Sequence, residues 1–362
     1  MTPSHTLTTS GSRKHFPEIG PQTFEHPLDR AALSALQKVP GLDWVVKTLF
    51  GLIGEKRLRL FFLGTAVRVN ERQFPRIHKL YAEACRTLDI AEPPELFVTQ
   101  RLWVNAAAIG MNKPFIIITS PLVDMLDDRE LQCVLGHELG HVMCGHALYT
   151  TLLLILINAW YAFIGIPGGM IALIGIRLAL LEWSRKAELS ADRAGLLVSQ
   201  DPAVSYKVDM KLAGGRLGEE MNVDEFFKQA EEYEAGGDLL DGILKVALLL
   251  DQTHPLPVSR VTDLKKWHDS GAYQKVLDGD YARRGDKRQD DFVDSVKATA
   301  SAYKESFDSA KDPLIATLKD LGTGAMAAGS ELFDFLKRAA TPPKDEPAPK
   351  STRSGRRPKR KD

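Results

Sequence analysis

His137-Glu138-Leu139-Gly140-His141 is the stretch from which the rest of this 362-residue chain can be placed. It reads H-E-x-x-H. On a helix, residues i and i+4 lie on one face about one turn apart. Two imidazoles so arranged can reach a single tetrahedral zinc, with Glu138 beside the open coordination position. The helix has a start signal, because Asp127 followed by Glu130 fits an acidic capping box just ahead of an apolar run. The spacing predicts that it ends near Gly145-His146. His146 falls about 140° round from His141. That position suits a C-terminal cap better than a third ligand.

A second anchor lies downstream. Glu188-Leu189-Ser190-Ala191-Asp192 sits within a helical stretch, residues 185–198. Alone, an acidic pair four apart is usually a solvated face. After H-E-x-x-H it has another use. A zinc held by two histidines takes one more protein ligand and a water, and Glu188 can be that ligand. Asp192, on the same face, can accept from the far nitrogen of a ligating histidine and fix its tautomer.

Upstream, the period changes from helical to extended. Residues 95–99 follow Pro93-Pro94 and read as a strand. Residues 103–109 read as a second strand and 114–119 as a third, with a turn at 110–113. The expectation is a small, largely antiparallel sheet immediately before the metal helix. Zinc peptidases often hold an extended peptide against a sheet edge by backbone pairing. Asn105-Ala106, in the middle strand, is the candidate edge. The other reading of Asn105 is a strand-end side chain that satisfies a neighbouring backbone group. Further upstream, residues 57–69 read as a strand, and 29–37, 44–53 and 71–88 as helices.

Between the two anchors lies an apolar segment. Residues 148–166 are nearly all apolar, Pro167-Gly168-Gly169 interrupts, and 170–183 is apolar again with Arg177 and Glu182 inside. His141 and Glu188 must meet at one ion, so the chain leaves and returns as a helical hairpin over 148–183. A bilayer span takes about 20 residues. The first arm approaches that length and the second does not. The hairpin therefore either embeds in a membrane, with Arg185-Lys186 on the cytoplasmic side, or packs within the protein.

After the second anchor, 206–217, 239–250 and 258–267 read as helices. His254 precedes Pro255, so its backbone is extended or turned. Such a histidine can reach over a site and stabilise an oxyanion, or it can be a structural loop residue.

Composition bounds the rest. Lys+Arg and Asp+Glu both number 47, so no global charge points to nucleic acid. Cys85, Cys133 and Cys144 make no disulfide framework and suit a reducing, cytoplasmic setting. Cys133 shares the face of both histidines, where a small buried residue is the commoner role. Residues 1–25 lack the apolar core of a secretory signal and read as a disordered lead-in. Residues 26–275 read as the catalytic domain and 276–340 as peripheral helices. Residues 341–362, with eight Lys/Arg against three Asp/Glu, read as a disordered basic tail. That tail either touches anionic lipid or is simply solvated.

The order of features resembles the zinc peptidases typified by bacterial HtpX and the CAAX prenyl endopeptidases. Four motifs match in sequence over roughly residues 70–270. They are Asn105-Ala106, H-E-x-x-H at 137–141, E-x-x-x-D at 188–192, and His254-Pro255 with Arg260. The resemblance implies a mainly α fold with a small antiparallel β-sheet (α+β), a zincin-like metallopeptidase domain carrying the apolar hairpin. It implies one zinc on His137, His141 and Glu188, with Glu138 as catalytic base. Asp192 would support a ligand, and His254 and Arg260 would line the site. The substrate would be a protein or peptide. The membrane members usually carry an N-terminal transmembrane pair, and nothing of that length precedes residue 148. A rival expectation is a membrane-associated adaptor with a structural or inactive zinc site.

Overall fold

Asp127 opens the central helix α6 (Asp128–Met143) with a complete capping box. Its carboxylate accepts from the Arg129 and Glu130 amides, and the Glu130 carboxylate accepts from the Asp127 amide at 2.8 Å. Two orphan donors of the first turn are satisfied reciprocally. The computed structural model describes residues 13–39, 41–159, 169–216, 220–235 and 257–286. Within them, α6 is buried at every position from Glu130 to His141.

Before α6 come α1 (Pro27–Leu36), α2 (Leu42–Ile53), α3 (Glu55–Thr65), β1 (Val67–Arg68) and α4 (Pro75–Thr87). Then follow β2 (Glu95–Thr99), β3 (Ala106–Ile109), β4 (Phe115–Thr119) and the short α5 (Ser120–Met125). After α6 come α7 (Ala147–Ala159), α8 (Gly169–Ser199), α9 (Pro202–Gly214), α10 (Val223–Ala235), α11 (Pro257–Asp269) and α12 (Ala272–Leu277). The mainly helical α+β class expected from the sequence is observed.

The sheet has the order β1-β2-β4-β3. Its outer pairings are antiparallel, and its central pairing, β2 with β4, is parallel. The largely antiparallel expectation missed that centre, because β3 sits outside β4 rather than between its sequence neighbours. Alternation along the strands feeds two cores. Leu96, Val98, Ala106, Ala108, Ile116 and Ile118 join the main core with α4 and α6. Phe97, Ala107, Ile109 and Phe115 face the other way, onto Phe62 of α3. Each large apolar side chain buried in this way stabilises the fold by about 1.5–3 kcal/mol.

Two expectations are corrected here. Residues 57–69 form most of helix α3 and only the two-residue strand β1. Leu58, Phe62 and Ala66 recur at i, i+4, i+8 against the sheet, and that helical stripe was hidden in a continuous apolar run. Residues 13–25 belong to the core rather than to a disordered lead-in. Phe16, Ile19 and Phe24 are buried in it, and Gly20 donates to the Ala282 carbonyl. Apolar residues spaced too irregularly for a helix are still buried: Phe16 donates its amide to Thr87 at the end of α4 and packs edge-on against Tyr281. Residues 1–12 lie outside the described residues, as do the helix expected at 239–250, residues 287–340 and the basic tail.

The described parts of the hairpin pack inward. Leu152, Leu153 and Leu156 of α7 and Ile176, Leu180, Leu181 and Trp183 of α8 form one cluster with Leu33 and Leu36 of α1 and Val45 and Leu49 of α2. Among the described residues no single helix is long and apolar enough to cross a membrane; α6 and α7 together pass on length and composition but are bent by 100°.

Helices α6 and α8 cross closely because the contact is made of small residues. Gly136 and Gly140 of α6 face Val198, Ala194 and Ala191 of α8, and Gly195 of α8 faces Cys133 and His137. A Cβ on Gly140 would come within 2.6 Å of the Ala194 methyl. This approach brings both histidines of α6 to the acidic residues of α8.

Candidate metal centre

Three side chains converge where α6 and α8 cross. His137 Nε2 and His141 Nε2 are 3.1 Å apart. Glu188 presents one oxygen 3.5 Å from the first and the other 3.4 Å from the second. A tetrahedral zinc with ligands about 2.0–2.2 Å away separates them by about 3.3–3.6 Å. The three side chains therefore stand at about the separations of ligands on one ion. Among the described residues these form the group of His, Cys, Asp and Glu side chains able to hold a metal, and all three are buried. Imidazole and carboxylate donors suit zinc better than a hard oxygen-seeking cation.

The far side of His137 is held by a carboxylate. Its Nδ1 lies 2.9 Å from Asp192 Oδ1, which leaves Nε2 for the ion. Arg260, from α11, holds that carboxylate in turn. Its Nε donates to Asp192 Oδ2 at 2.8 Å and a terminal nitrogen pairs with Asp192 Oδ1. The remaining terminal nitrogen is 3.0 Å from Glu188. One buried guanidinium thus spans the ligand Glu188 and the positioning residue Asp192, and Asp209 of α9 lies 3.6 Å away.

The electrostatics follow this layout. Burial alone would depress the His137 ring, but Asp192 and Glu188 outweigh it and push its pKa up to about 10. His141, under the same burial and beside His137, is pushed down to about 3. The pair carries one positive charge, on His137, the ring that has Asp192 at its Nδ1; His141 stays neutral with a single N–H. Burial would raise Asp192, yet Arg260 and then His137 hold it well below the usual carboxylate range. Asp209 is shifted the other way. Burial raises it, Arg260 only partly compensates, and Asp192 adds to the rise. Two carboxylates share one guanidinium, and the nearer one keeps the charge.

A cavity of about 510 Å³ opens onto the centre. Its lining includes His137, Glu138, Asp192, Asp209 and Arg260 together with Asn105 and Ala106. Glu138 is almost fully buried, so its carboxylate is desolvated where it meets the cavity. Asn105 meets Thr119 of β4: its amide donates to the threonine hydroxyl at 2.9 Å, and its carbonyl accepts from the Thr119 amide. Ala106 begins β3, one of the two edge strands of the sheet, with β1 at the other end.

Residues 71–268 match the model of Peptidase family M48. The chain belongs to peptidase family M48. It is accordingly a metalloprotease. The M48 chain is 39% identical over 269 residues to the plastoglobule-localized metallopeptidase 48 of Arabidopsis thaliana, covering 72% of this chain and 77% of that one. It is 26% identical over 170 residues to a protein named protease HtpX homolog 2 from Methanosarcina acetivorans, covering 40% and 58%. It is 24% identical over 207 residues to a protease HtpX homolog of Bacillus subtilis, covering 49% and 66%. No solved structure matches it.

Of the residues singled out from the M48 chain's sequence, His137, Glu138, His141, Glu188, Asp192 and Arg260 come together, and Asn105-Ala106 border the same cavity. His254 lies outside the described residues. Cys133 is buried against Ser205 at 3.4 Å, its thiol pushed up to about 12 by burial. His146 is not the helix cap expected of it. α6 ends at Met143, Gly145 turns the chain at φ +74°, and the fully buried His146 ring swings back to His141. Sequence reasoning also missed Asp29 and Asp209. Asp209 left one signal, an acid between the apolar Val208 and Met210 on the helix of 206–217. Asp29 left none.

Proposed function

We propose that the chain is a zinc-dependent endopeptidase that hydrolyses internal peptide bonds of unfolded or membrane-associated proteins, with Glu138 as general base. The observation that carries this reading is the convergence of two imidazole Nε2 atoms and the Glu188 carboxylate, 3.1–3.5 Å apart, beside Glu138 in one cavity. One zinc ion held by His137, His141 and Glu188 would polarise the scissile carbonyl and lower the pKa of a water. Glu138 would take the proton of the attacking water and return it to the leaving amine nitrogen. Asp192 and Arg260 would orient His137 and Glu188. Asn105-Ala106, at the edge strand, would pair with the extended substrate backbone, and His254 would share the oxyanion charge.

Support for the substrate class comes from the setting of the cavity at a strand that can pair without reading sequence. One relative is named plastoglobule-localized, which supports work at a lipid surface, and the three free cysteines suit the cytoplasmic face of it. The catalytic domain on this reading is 26–275, with 13–25 packed onto it. Partners beyond substrate protein and the membrane face, nucleic acid included, are not invoked.

Glu138→Gln tests the reading. The variant is expected to keep zinc at the wild-type stoichiometry and to lose hydrolysis of an unfolded protein such as casein by about 10²–10⁴-fold. Cleavage at the wild-type rate by a zinc-loaded Glu138→Gln protein would overturn it. Pelleting of the protein with membranes, lost when residues 148–183 are replaced, tests the location separately.

A further inference from the structure

His146 and Asp29 are both fully buried, and neither is part of the motif set from which the site was read. They stand in line behind His141. His141 Nδ1 is 2.9 Å from His146 Nδ1, and His146 Nε2 is 2.9 Å from Asp29 Oδ2. That second contact is close but not aligned as a straight hydrogen bond. Ser190, which lies between Glu188 and Asp192 on α8, donates its hydroxyl to the same Asp29 oxygen at 2.5 Å. The Ser190 hydroxyl in turn accepts the His26 amide at 2.9 Å. The His146 ring is clamped edge-to-face between His141 and Trp183, with centroids 5.2 and 5.4 Å away. Nothing about packing requires two ionisable groups here. An apolar pair would fill the space without the cost of burying them.

Tautomer chemistry gives them a task. A metal on His141 Nε2 needs that nitrogen's lone pair, so the proton of the neutral ring must sit on Nδ1. Nδ1 faces His146 Nδ1, which must then accept. His146 can accept there only with its own proton on Nε2, and Nε2 faces the Asp29 carboxylate. Reverse the His146 tautomer and it donates to His141 Nδ1, which places the His141 proton on Nε2 and blocks the metal. A carboxylate at the end of the line forbids the reversed arrangement, because it can only accept. His137 has its carboxylate in direct contact, whereas His141 has one an imidazole further away.

We infer that His146 and Asp29 are positioning residues of the metal centre, holding His141 in its Nδ1–H form. Asp29 belongs to α1, upstream of the segment, 71–268, that matches the family model. The N-terminal helix therefore completes the centre. His26, which caps α1, reaches 3.3 Å to Asp263 on α11, the helix that carries Arg260. The same short segment thus ties α8 and α11 to the site.

The inference rests on His141 being a zinc ligand, and the experiment separates the two. Zn²⁺ affinity of the full chain is measured by competition with a chromogenic chelator, with circular dichroism and thermal melting to verify the fold. His146→Leu is expected to weaken zinc binding by about 10–100-fold. His146→Asn, whose amide oxygen falls near the former Nδ1, recovers most of that loss. Asp29→Ala weakens zinc in the same direction, and the double variant His146→Leu/Asp29→Ala loses less than the sum of the two. Wild-type affinity in both single variants, while His141→Ala loses zinc, overturns the inference and leaves the ligand assignment standing. Undiminished zinc in His141→Ala overturns the assignment itself, and the inference with it. Should His146→Leu not fold, His146→Asn against His146→Gln decides, since the glutamine amide falls nearer the former Nε2. Equal zinc affinity of those two overturns the inference.

Discussion

Gly140 of α6 lies so close to Ala194 of α8 that a single methyl on the glycine would come within 2.6 Å of the alanine methyl. This contact sits between His137 and His141 and sets the distance from both to Glu188. Two effects oppose each other in Gly140→Ala. Helix propensity favours alanine by about 1 kcal/mol. Overpacking a tight helix contact costs about 1–3 kcal/mol. The Ala191 Cα, 3.2 Å from the same methyl, is backbone and cannot rotate away. The expected outcome is a lower melting temperature together with weaker zinc binding. A variant more stable than wild type, with zinc affinity intact, would show that the helices have room to separate.

Arg260 is the cation on which three buried carboxylates depend. Burial opposes its charge, and Asp192, then Glu188 and Asp209, hold it in the charged form. Removing one partner from such a cluster leaves the others buried and uncompensated, at about 3–5 kcal/mol. Arg260→Leu is expected to lower the melting temperature strongly. Arg260→Lys keeps the charge but cannot grip Asp192 through two nitrogens, so it falls between. Zinc adds positive charge beside the same carboxylates, so the loss in zinc-saturated protein should be smaller than in chelator-treated protein. Equal losses in both forms would separate the Arg260 cluster from the metal centre.

The metal helix was readable because its chemistry is periodic. His137, Glu138 and His141 share a local repeat, and the cap at Asp127 is written in four residues. Glu188 and Asp192 were readable as an acidic i, i+4 pair on a helix once H-E-x-x-H called for a third ligand, and the hairpin followed from the need for His141 and Glu188 to meet. The sheet centre was not, since the parallel β2–β4 pairing depends on β3 passing to the outside, which no local pattern encodes. α3 was misread because Leu60 and Phe61, both largely exposed, fill the gaps in its helical stripe. His146 was misread because one glycine, Gly145, reverses the chain after the helix. Asp29 could not have been found, because its only claim on the site is a contact across more than a hundred residues.

Metal uptake should release protons. His137 holds its proton up to a pKa of about 10 beside Asp192 and Glu188, and a metal ion must displace that proton to take Nε2. His141 is neutral down to about 3 and contributes none. Near pH 7 the expected release is about one proton per zinc from this ring. Apparent affinity should therefore rise with pH through neutrality and level off above about 10. Calorimetric titration of zinc into chelator-stripped protein, in two buffers of different ionisation enthalpy, measures the release. Identical heats in the two buffers would mean that His137 is already neutral in the metal-free site.

Asp209 makes stability depend on pH in the direction opposite to an ordinary ion-paired carboxylate. Burial, with Asp192 adding to it, raises its pKa to about 8, against about 3.9 in an unfolded chain. Between those values the folded protein holds a proton that the unfolded chain has released. Folding then takes up a proton, so this group's contribution to stability falls as pH rises from about 4 to about 8, and is flat outside that window. Asp209→Asn removes the ionisable group while keeping its size. The variant should gain on wild type steadily as pH rises, by melting temperature at pH 5, 7 and 9. At pH 5, where both side chains are neutral, the two proteins should differ least. A gap between them that stays constant across that range would mean that Asp209 is ionised throughout, with Arg260 facing three charged carboxylates at once.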